Sequence, residues 1–254
     1  MELKHIIGKA VLASVFAIAA NTAAYAQDLH AKTVVLVHGA FADGSSWQYV
    51  TPILEEAGLE VIVVQNPLVS LAGDVEFVDR ALARAEGPVV LVGHSWGGQV
   101  ITEAGDDEKV YSLVYVAAYA PDAGQPLGEA AQLDTYPAAG LAALKQDSEG
   151  FFYLPDEAMA EFFAHDLPAE QAAFMAASQG LINSAALGDP VSHAAWETKP
   201  SFYAIAGADY MTPTALQRVF AEKIGATSRE ISASHSIMIS QPQFVADLII
   251  EAAQ

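Results

Sequence analysis

Six short runs of apolar, mostly β-branched residues recur along the chain and constrain its fold more than any other feature. Runs that are apolar at nearly every position suit strands that are buried on both faces of a sheet. Helix-like stretches separate these runs, so the sequence predicts an α/β protein with a mostly parallel sheet flanked by helices. The predicted strands are residues 33–37, 60–65, 88–92, 111–117, 201–206 and, from a weaker pattern, 228–231, and the predicted helices are 46–57, 71–85, 97–104, 214–224 and 241–253.

The interval from residue 121 to about 196, which we call the cap segment, interrupts this alternation. It contains no convincing strand pattern, only loops and amphipathic stretches, and two helices are predicted at 156–165 and 168–179. Pro168 suits the first turn of the second helix, and Gly180 suits its end. We therefore expect a helical cap inserted into a single domain that spans residues 27–254.

Residues 1–26 have the pattern of a secretory signal. Lys4 and Lys9 precede an apolar run at 10–20, and Ala-Tyr-Ala at 24–26 forms a small-x-small cleavage site before Gln27. The run is shorter than the roughly 20 apolar residues that span a bilayer. The expectation is a periplasmic or secreted protein without stable membrane insertion after cleavage.

The charge and the absence of cysteine exclude several classes of function. A net charge of −20 argues against nucleic-acid binding and makes a neutral or cationic small molecule the simpler ligand. A chain without cysteine cannot have a thiol nucleophile or a thiolate metal site. His165 and His193 have no partners at metal-ligand spacing, so neither a metal nor a cofactor is expected.

Residues 93–97 read Gly-His-Ser-Trp-Gly, directly after the predicted strand 88–92 and at the start of the predicted helix 97–104. The bare Gly-x-Ser-x-Gly pattern is weak, but this setting is typical of a nucleophile elbow. Glycines on both sides of the serine are needed because a Cβ would collide with the neighbouring strand and helix. Ser95 is therefore the predicted nucleophile.

A serine hydroxyl needs a neutral imidazole to take its proton and a carboxylate to orient that imidazole. His235 lies between the last predicted strand and the last helix, and Asp209 follows the strand at 201–206. This order of serine, acid and histidine is the one expected for such an elbow. Asp122, which follows the strand at 111–117, is the alternative acid.

A tetrahedral intermediate also needs backbone N–H donors. We expect Trp96, the residue after the nucleophile, to supply one, and Ala40 in the loop after the first strand to supply the other, with Phe41 as the alternative. His38 is expected to hold this loop by hydrogen bonds, and His94 to pack locally.

Apolar side chains near these donors are candidates for a substrate pocket. Phe41, next to the predicted oxyanion loop, is a predicted substrate-binding residue. Some cap residues are also expected to line the pocket, although any one of them may simply pack the cap: Phe151, Phe152, Tyr153, Met159, Phe162, Phe163, Phe174 and Met175.

Four stretches carry a resemblance to a known family: residues 35–41, 93–98, 206–209 and 234–235. On these the chain resembles the α/β-hydrolase superfamily over its predicted mature length. It is most similar to small esterases related to plant methyl-salicylate esterases and hydroxynitrile lyases, as an exported bacterial member. The resemblance implies an α/β-hydrolase fold and a triad of Ser95, His235 and Asp209.

Two positions favour hydrolysis over lyase chemistry. The hydroxynitrile lyases of this group have a threonine and a lysine where this chain has Gly39 and Ser236. The expected activity is therefore cleavage of a small-molecule carboxylic ester through an acyl-enzyme. Amide or lactone hydrolysis, cofactor-free perhydrolysis, and ligand binding with little turnover are the alternatives.

Overall fold

The computed structural model describes residues 29–254, so the predicted signal segment 1–26 lies outside the described residues. Strands β1 to β4 are Thr33–Val37, Glu60–Val64, Val89–His94 and Val110–Val116, and strands β8 and β9 are Ser201–Ala206 and Thr227–Ile231. These six strands form a parallel sheet in the order β2-β1-β3-β4-β8-β9. The predicted fold class, a parallel sheet flanked by helices, is confirmed.

Helices pack on this sheet with bounds close to those predicted, except at one proline. The helices outside the cap segment are α1 Thr51–Glu56, α2 Leu71–Arg84, α3 Gly97–Ala104, α8 Thr214–Lys223, α9 Ile237–Ser240 and α10 Pro242–Ala252. The single helix predicted at 46–57 is wrong, because a 3-10 turn at Gly44–Trp47 precedes α1. Pro52 lies in the first turn of α1, where the missing proline N–H leaves no helix bond unmade.

The cap segment lies between β4 and β8 and is only partly helical. Its helices are α4 Leu127–Ala130, α5 Ala139–Ala142, α6 Asp156–Ala158 and α7 Ala169–Ser178, and its strands are β5 Lys145–Gln146, β6 Phe151–Tyr153 and β7 Ile182–Asn183. The three strands form a small antiparallel sheet. The expectation that this interval contains no strand is therefore wrong, because strands of two or three residues are too short to show a periodic pattern.

The two helices predicted in the cap segment have different outcomes. A π-helical turn at Met159–Phe163 follows α6, so the stretch 156–165 is not one regular α-helix. The helix predicted at 168–179 is α7, which Pro168 precedes as the N-cap residue.

Strands β1 and β3 form the buried centre of the sheet, with every residue of both strands buried. Helices α2 and α3 pack against each other, and α10 packs against α1, β4 and β8. The carboxyl ends of the parallel strands lie at one edge of the sheet, where ligands bind in open α/β sheets. None of the helices within residues 29–254 has the length and apolar character needed to cross a bilayer.

Candidate active site

The turn between β3 and α3 places Ser95 in a strained backbone conformation. Its φ of 53° lies in the left-handed region that non-glycine residues rarely adopt. A Cβ on Gly97 would lie 2.7 Å from the carbonyl oxygen of Val37 in β1, and one on Gly93 would overlap the carbonyl oxygen of Gly97. The steric reason predicted for these glycines is thus confirmed.

His235 and Asp209 meet at the same edge of the sheet. Nδ1 of His235 lies 2.7 Å from Oδ2 of Asp209, and both side chains are buried. Because the partner is a carboxylate, this geometry favours the tautomer in which Nδ1 carries the hydrogen and Nε2 is free to accept a proton. The alternative acid, Asp122, instead forms a surface ion pair with Lys223. The structure therefore brings Asp209, and not Asp122, to His235.

The Asp209 carboxylate is held by hydrogen bonds from its own loop and from α8. Oδ1 accepts the backbone N–H groups of Met211 at 2.7 Å and Thr212 at 3.0 Å. Oδ2 accepts the side-chain amide of Gln217 at 2.8 Å in addition to His235. These donors fix both oxygens, so the imidazole meets a carboxylate with little freedom to rotate.

His94 joins the elbow to the loop that carries His235. Its Nε2 lies 3.0 Å from the His235 carbonyl oxygen, and the two ring centroids are 4.6 Å apart. Within residues 29–254, no hydrogen bond joins the Ser95 hydroxyl to His235. Such contacts are often long in substrate-free sites and shorten when substrate binds.

The backbone N–H groups of Ala40 and Trp96, both near Ser95, are free of hydrogen bonds within the described residues. The N–H of Phe41, the alternative donor, is already bonded to the Gly180 carbonyl at 2.9 Å. Ala40, Phe41, Ser95 and Trp96 all line one cavity. The arrangement therefore leaves Ala40 and Trp96 available to an oxyanion and assigns Phe41 to the cavity wall.

His38 fixes the loop that carries Ala40. Its Nε2 accepts the backbone N–H of Asn66 at 2.9 Å, so Nδ1 carries the hydrogen and donates to the Gly39 carbonyl at 2.8 Å. Burial lowers the pKa of His38 and keeps the ring neutral. The predicted structural role of His38 is confirmed.

The cavity beside Ser95 has a volume of about 270 Å³ and an apolar wall. No charged side chain of residues 29–254 lines it, and the polar side chains in its lining are the hydroxyl-bearing residues Ser95, Tyr119 and Thr212. The apolar wall is mainly Leu127, Ala131, Leu133, Leu141, Leu144, Phe152, Ile182, Leu187 and Met211. The cavity suits an uncharged, apolar ligand.

Most of the aromatic and methionine residues of the cap segment do not line this cavity. Among the eight named from the sequence, Phe152 alone does so in the described structure. Met159 and Phe163 are buried in the core, and the ring of Phe163 packs edge-on against His235 at 4.7 Å. Phe174 is 61% exposed. Packing, rather than ligand binding, accounts for the majority of them.

Comparison with known proteins agrees with this geometry. The sequence pattern of the alpha/beta hydrolase family matches residues 34–248. The chain belongs to the alpha/beta hydrolase family. It is 27% identical to salicylic acid-binding protein 2 of Nicotiana tabacum, over 87% of this chain and 97% of that protein. It is 28% identical to a pyrethroid hydrolase of Sphingobium wenxiniae, over 87% of each chain.

Solved structures show the same fold. The crystal structure of polyneuridine aldehyde esterase superposes with a TM-score of 0.76 at 22% identity, covering 88% of this chain and 100% of that one. This alpha/beta hydrolase therefore has relatives and structural neighbours whose names describe esterases and hydrolases.

Several residues of this hydrolase site escaped the sequence analysis. Gln217 holds Asp209, and Asp166 accepts the backbone N–H of Ser234 at 2.9 Å in the loop of His235. Burial acts to raise the pKa of Asp166, but hydrogen bonds, chiefly those from Ser234, and the nearby His165 together lower it. Asp74 accepts the indole N–H of Trp96 at 2.6 Å. In the sequence, Asp74 could have been recognised as the one carboxyl group on the apolar face of α2.

The two histidines of the cap segment, His165 and His193, have local partners. Nε2 of His165 lies 2.8 Å from the Ala208 carbonyl, and Nε2 of His193 lies 2.6 Å from the Glu103 carbonyl. Within the described part of the chain, no three acidic, histidine or cysteine side chains cluster as a metal site would require. Ser236, the position occupied by lysine in the lyases, donates its hydroxyl to the Phe163 carbonyl at 3.0 Å.

Proposed function

We propose that this protein is a serine hydrolase that cleaves carboxylic esters of small, neutral or apolar molecules through an acyl-enzyme. The observation that carries the proposal is the buried pair of Asp209 and His235, joined at 2.7 Å and packed against the strained elbow of Ser95. The similarity to a pyrethroid hydrolase and to the polyneuridine aldehyde esterase fold supports the same reaction class.

In the proposed reaction, Nε2 of His235 takes the proton of the Ser95 hydroxyl as Oγ attacks the ester carbonyl. The negative charge on the carbonyl oxygen is stabilised by the N–H groups of Ala40 and Trp96. His235 then gives its proton to the departing alcohol, which leaves the acyl group on Ser95. A water molecule, deprotonated by His235, attacks the acyl-enzyme, the bond between the acyl carbon and Ser95 Oγ breaks, and His235 returns the proton to Oγ as the acid is released. Asp209 orients the imidazole and stabilises its cationic form.

The cavity wall supports a neutral substrate. A cavity of about 270 Å³ accommodates a small organic molecule, and its wall offers neither a cation for an anionic substrate nor a carboxylate for a cationic one. A charged group moved from water into this cavity would lose its hydration without a compensating partner. Uncharged esters with apolar acyl or alcohol groups are therefore the proposed substrates.

Replacing the nucleophile tests the proposal directly. Ser95→Ala should abolish p-nitrophenyl acetate hydrolysis, and a fluorophosphonate probe should label the parent protein at Ser95. Ser148→Ala, which removes an exposed hydroxyl from the cap segment, is the matched control and should retain both properties. Unchanged turnover in Ser95→Ala would overturn the proposed mechanism.

A screen of uncharged esters, amides and lactones distinguishes the alternative reactions. Ester hydrolysis predicts the highest kcat/KM for esters. Saturable binding without product release in every class would instead indicate a ligand-binding protein that has kept the hydrolase fold.

We also propose that the protein is exported to the periplasm or secreted. The support is the sequence of residues 1–26, with its basic start, apolar run and Ala-Tyr-Ala site. N-terminal sequencing of the protein from its host should begin at Gln27. A mature protein that begins at residue 1 or 2 would contradict export by this route.

A further inference from the structure

Asp74 is a carboxyl group that is completely buried on α2, with no cation bonded to it within the described residues. Its two oxygens accept hydrogen bonds from two different segments, the elbow and the segment that precedes α2. Oδ2 accepts the indole N–H of Trp96 at 2.6 Å, and Oδ1 accepts the backbone N–H of Leu68 at 2.8 Å. An isolated buried carboxylate is costly, so its presence here calls for a specific reason.

Trp96 is the residue whose backbone N–H is free beside Ser95. Trp96 is 1% exposed and is the N-cap residue of α3, so its side chain and its backbone are both packed next to the elbow. The indole N–H has one bonded partner, Asp74. A contact that holds the ring in place therefore also restrains the backbone of the same residue.

Leu68 connects the same carboxylate to the cap segment. Its φ of 58° is a strained conformation for a branched residue, and its N–H is held by Asp74. The Leu68 carbonyl in turn accepts the backbone N–H of Asn183 at 2.9 Å in β7, next to Ile182 in the cavity wall. One carboxylate thus joins the elbow to the strand that covers the cavity.

We propose that Asp74 is a positioning residue, which holds the Trp96 indole and thereby aims the Trp96 backbone N–H at the reacting carbonyl. This inference rests on the proposed ester hydrolysis and extends it to a residue that does not touch the substrate. A carboxylate is required because both oxygens must accept. An asparagine would accept one N–H and direct its own NH₂ group at the other.

The ionisation of Asp74 is consistent with this role. Burial raises its pKa to about 6, and the hydrogen bonds from Trp96 and Leu68 oppose the rise. At pH 8 the group is therefore the carboxylate, with both oxygens able to accept.

Asp74→Asn tests the proposal at pH 8, with Asp79→Asn as the matched control. The Asp79→Asn substitution removes the same charge from the same helix. Within the described residues, Asp79 forms no hydrogen bond with Trp96. Asp74→Asn should lower kcat for p-nitrophenyl acetate about tenfold and change KM less than twofold, because the lost contribution acts in the transition state. Asp79→Asn should match the parent protein. Equal kcat values in the two variants would overturn the proposal.

A double-mutant cycle with Trp96→Phe separates positioning from general stability. If Asp74 acts through the indole, Asp74→Asn should cost about tenfold in the parent protein but less than twofold in the Trp96→Phe background. An equal cost in both backgrounds would overturn the proposal. If Asp74→Asn does not fold, the single variant Trp96→Phe tests the proposal, and an unchanged kcat in that variant would overturn the proposal.

The indole N–H resonance of Trp96 gives a readout that needs no substrate. Asp74→Asn should shift this resonance relative to those of Trp47 and Trp196, the other two tryptophans. A resonance that does not shift would show that the contact is absent. A protein that shows the shift but hydrolyses no ester would contradict the proposed function while leaving the Asp74–Trp96 contact intact.

Discussion

Nε2 of His94 lies 3.0 Å from the main-chain oxygen of His235, so the residue that precedes Ser95 is hydrogen-bonded to the loop of the proposed base. Because Nε2 must donate to this carbonyl, Nδ1 has no hydrogen, and it has no partner within the described structure. Burial lowers the pKa of His94 well below 6.5, and the neighbouring His235 lowers it further. The ring is therefore neutral, and a proton on it would be a second buried cation whenever His235 is charged.

The lowered pKa of His94 predicts a loss of stability in acid. The unfolded chain binds a proton on this imidazole below about pH 6.5 but the folded chain does not, so the contribution is complete above that pH and is lost as the pH falls. At pH 5.5 the loss is about 1 kcal/mol relative to pH 8. Urea unfolding of the parent protein and of His94→Gln at both pH values should show a smaller loss in His94→Gln, by about this amount, because the buried His38, whose pKa is also lowered, contributes equally in both proteins.

This measurement needs a control variant and an allowance for the titration of Asp74. His30→Gln replaces an exposed imidazole and should keep the pH dependence of the parent protein. Asp74 acts in the opposite direction, because its raised pKa of about 6 makes its contribution favourable at low pH and lost as the pH rises through 6. Because both proteins contain Asp74, its contribution cancels when the unfolding free energy of His94→Gln is subtracted from that of the parent protein. Equal pH dependence in the two proteins would contradict a neutral, buried His94.

Gln217→Met should weaken catalysis through Asp209. The amide of Gln217 donates to Oδ2 of Asp209 at 2.8 Å and to the Thr212 carbonyl, and its oxygen accepts the Ala206 N–H at 2.9 Å. Methionine keeps the shape but leaves these buried groups without partners, at a cost of about 1–3 kcal/mol in unfolding free energy. We expect kcat/KM for p-nitrophenyl acetate to fall about tenfold. Gln243→Met, at an exposed position of α10, is the control, and an active Gln217→Met would show that Asp209 needs no support from α8.

Gly39→Ala should inactivate the enzyme by crowding Ser95. A Cβ on Gly39 would lie 2.7 Å from the Ser95 Cβ and 3.0 Å from the His94 carbonyl oxygen. Relief of this overlap must move either the oxyanion loop or the elbow, so we expect kcat to fall by about 100-fold, with a stability loss of about 1–3 kcal/mol. Ester hydrolysis and thermal unfolding measure the two effects. Gly188→Ala, where a Cβ meets nothing within 4 Å, should leave both unchanged.

Ala131→Leu should shift the chain-length preference of the enzyme. Ala131 is buried in the cavity wall, and a larger side chain there reduces the space beside Ser95. We expect kcat/KM for p-nitrophenyl hexanoate to fall about tenfold, and that for the acetate to change less than threefold. Ala131→Ser keeps the size and should keep the preference. Equal losses for both esters would indicate a general disturbance rather than a smaller cavity.

The sequence by itself determined the sheet and the elbow. Apolar runs such as 33–37 and 201–206 are recognisable because both faces of a central strand are buried, and the turn around Ser95 because only glycine fits beside it. The chain order of Ser95, Asp209 and His235 followed from the sequence pattern. The sequence pattern did not predict short strands such as β5 and β7, because a two-residue strand is too short to show a period. It also did not predict the break before α1, because a proline is compatible with several helix starts.

Tertiary structure decided the relationships between residues that are distant in sequence. Asp209 rather than Asp122 meets His235 because β8 and β9 are neighbours at the sheet edge, whereas the Asp122 carboxylate pairs with Lys223 at the surface. The Gly180 carbonyl accepts the N–H of Phe41, whereas the N–H of Ala40 has no partner within the described residues. A hydrogen bond depends on distance and direction in space, and the spacing of residues along the chain specifies neither.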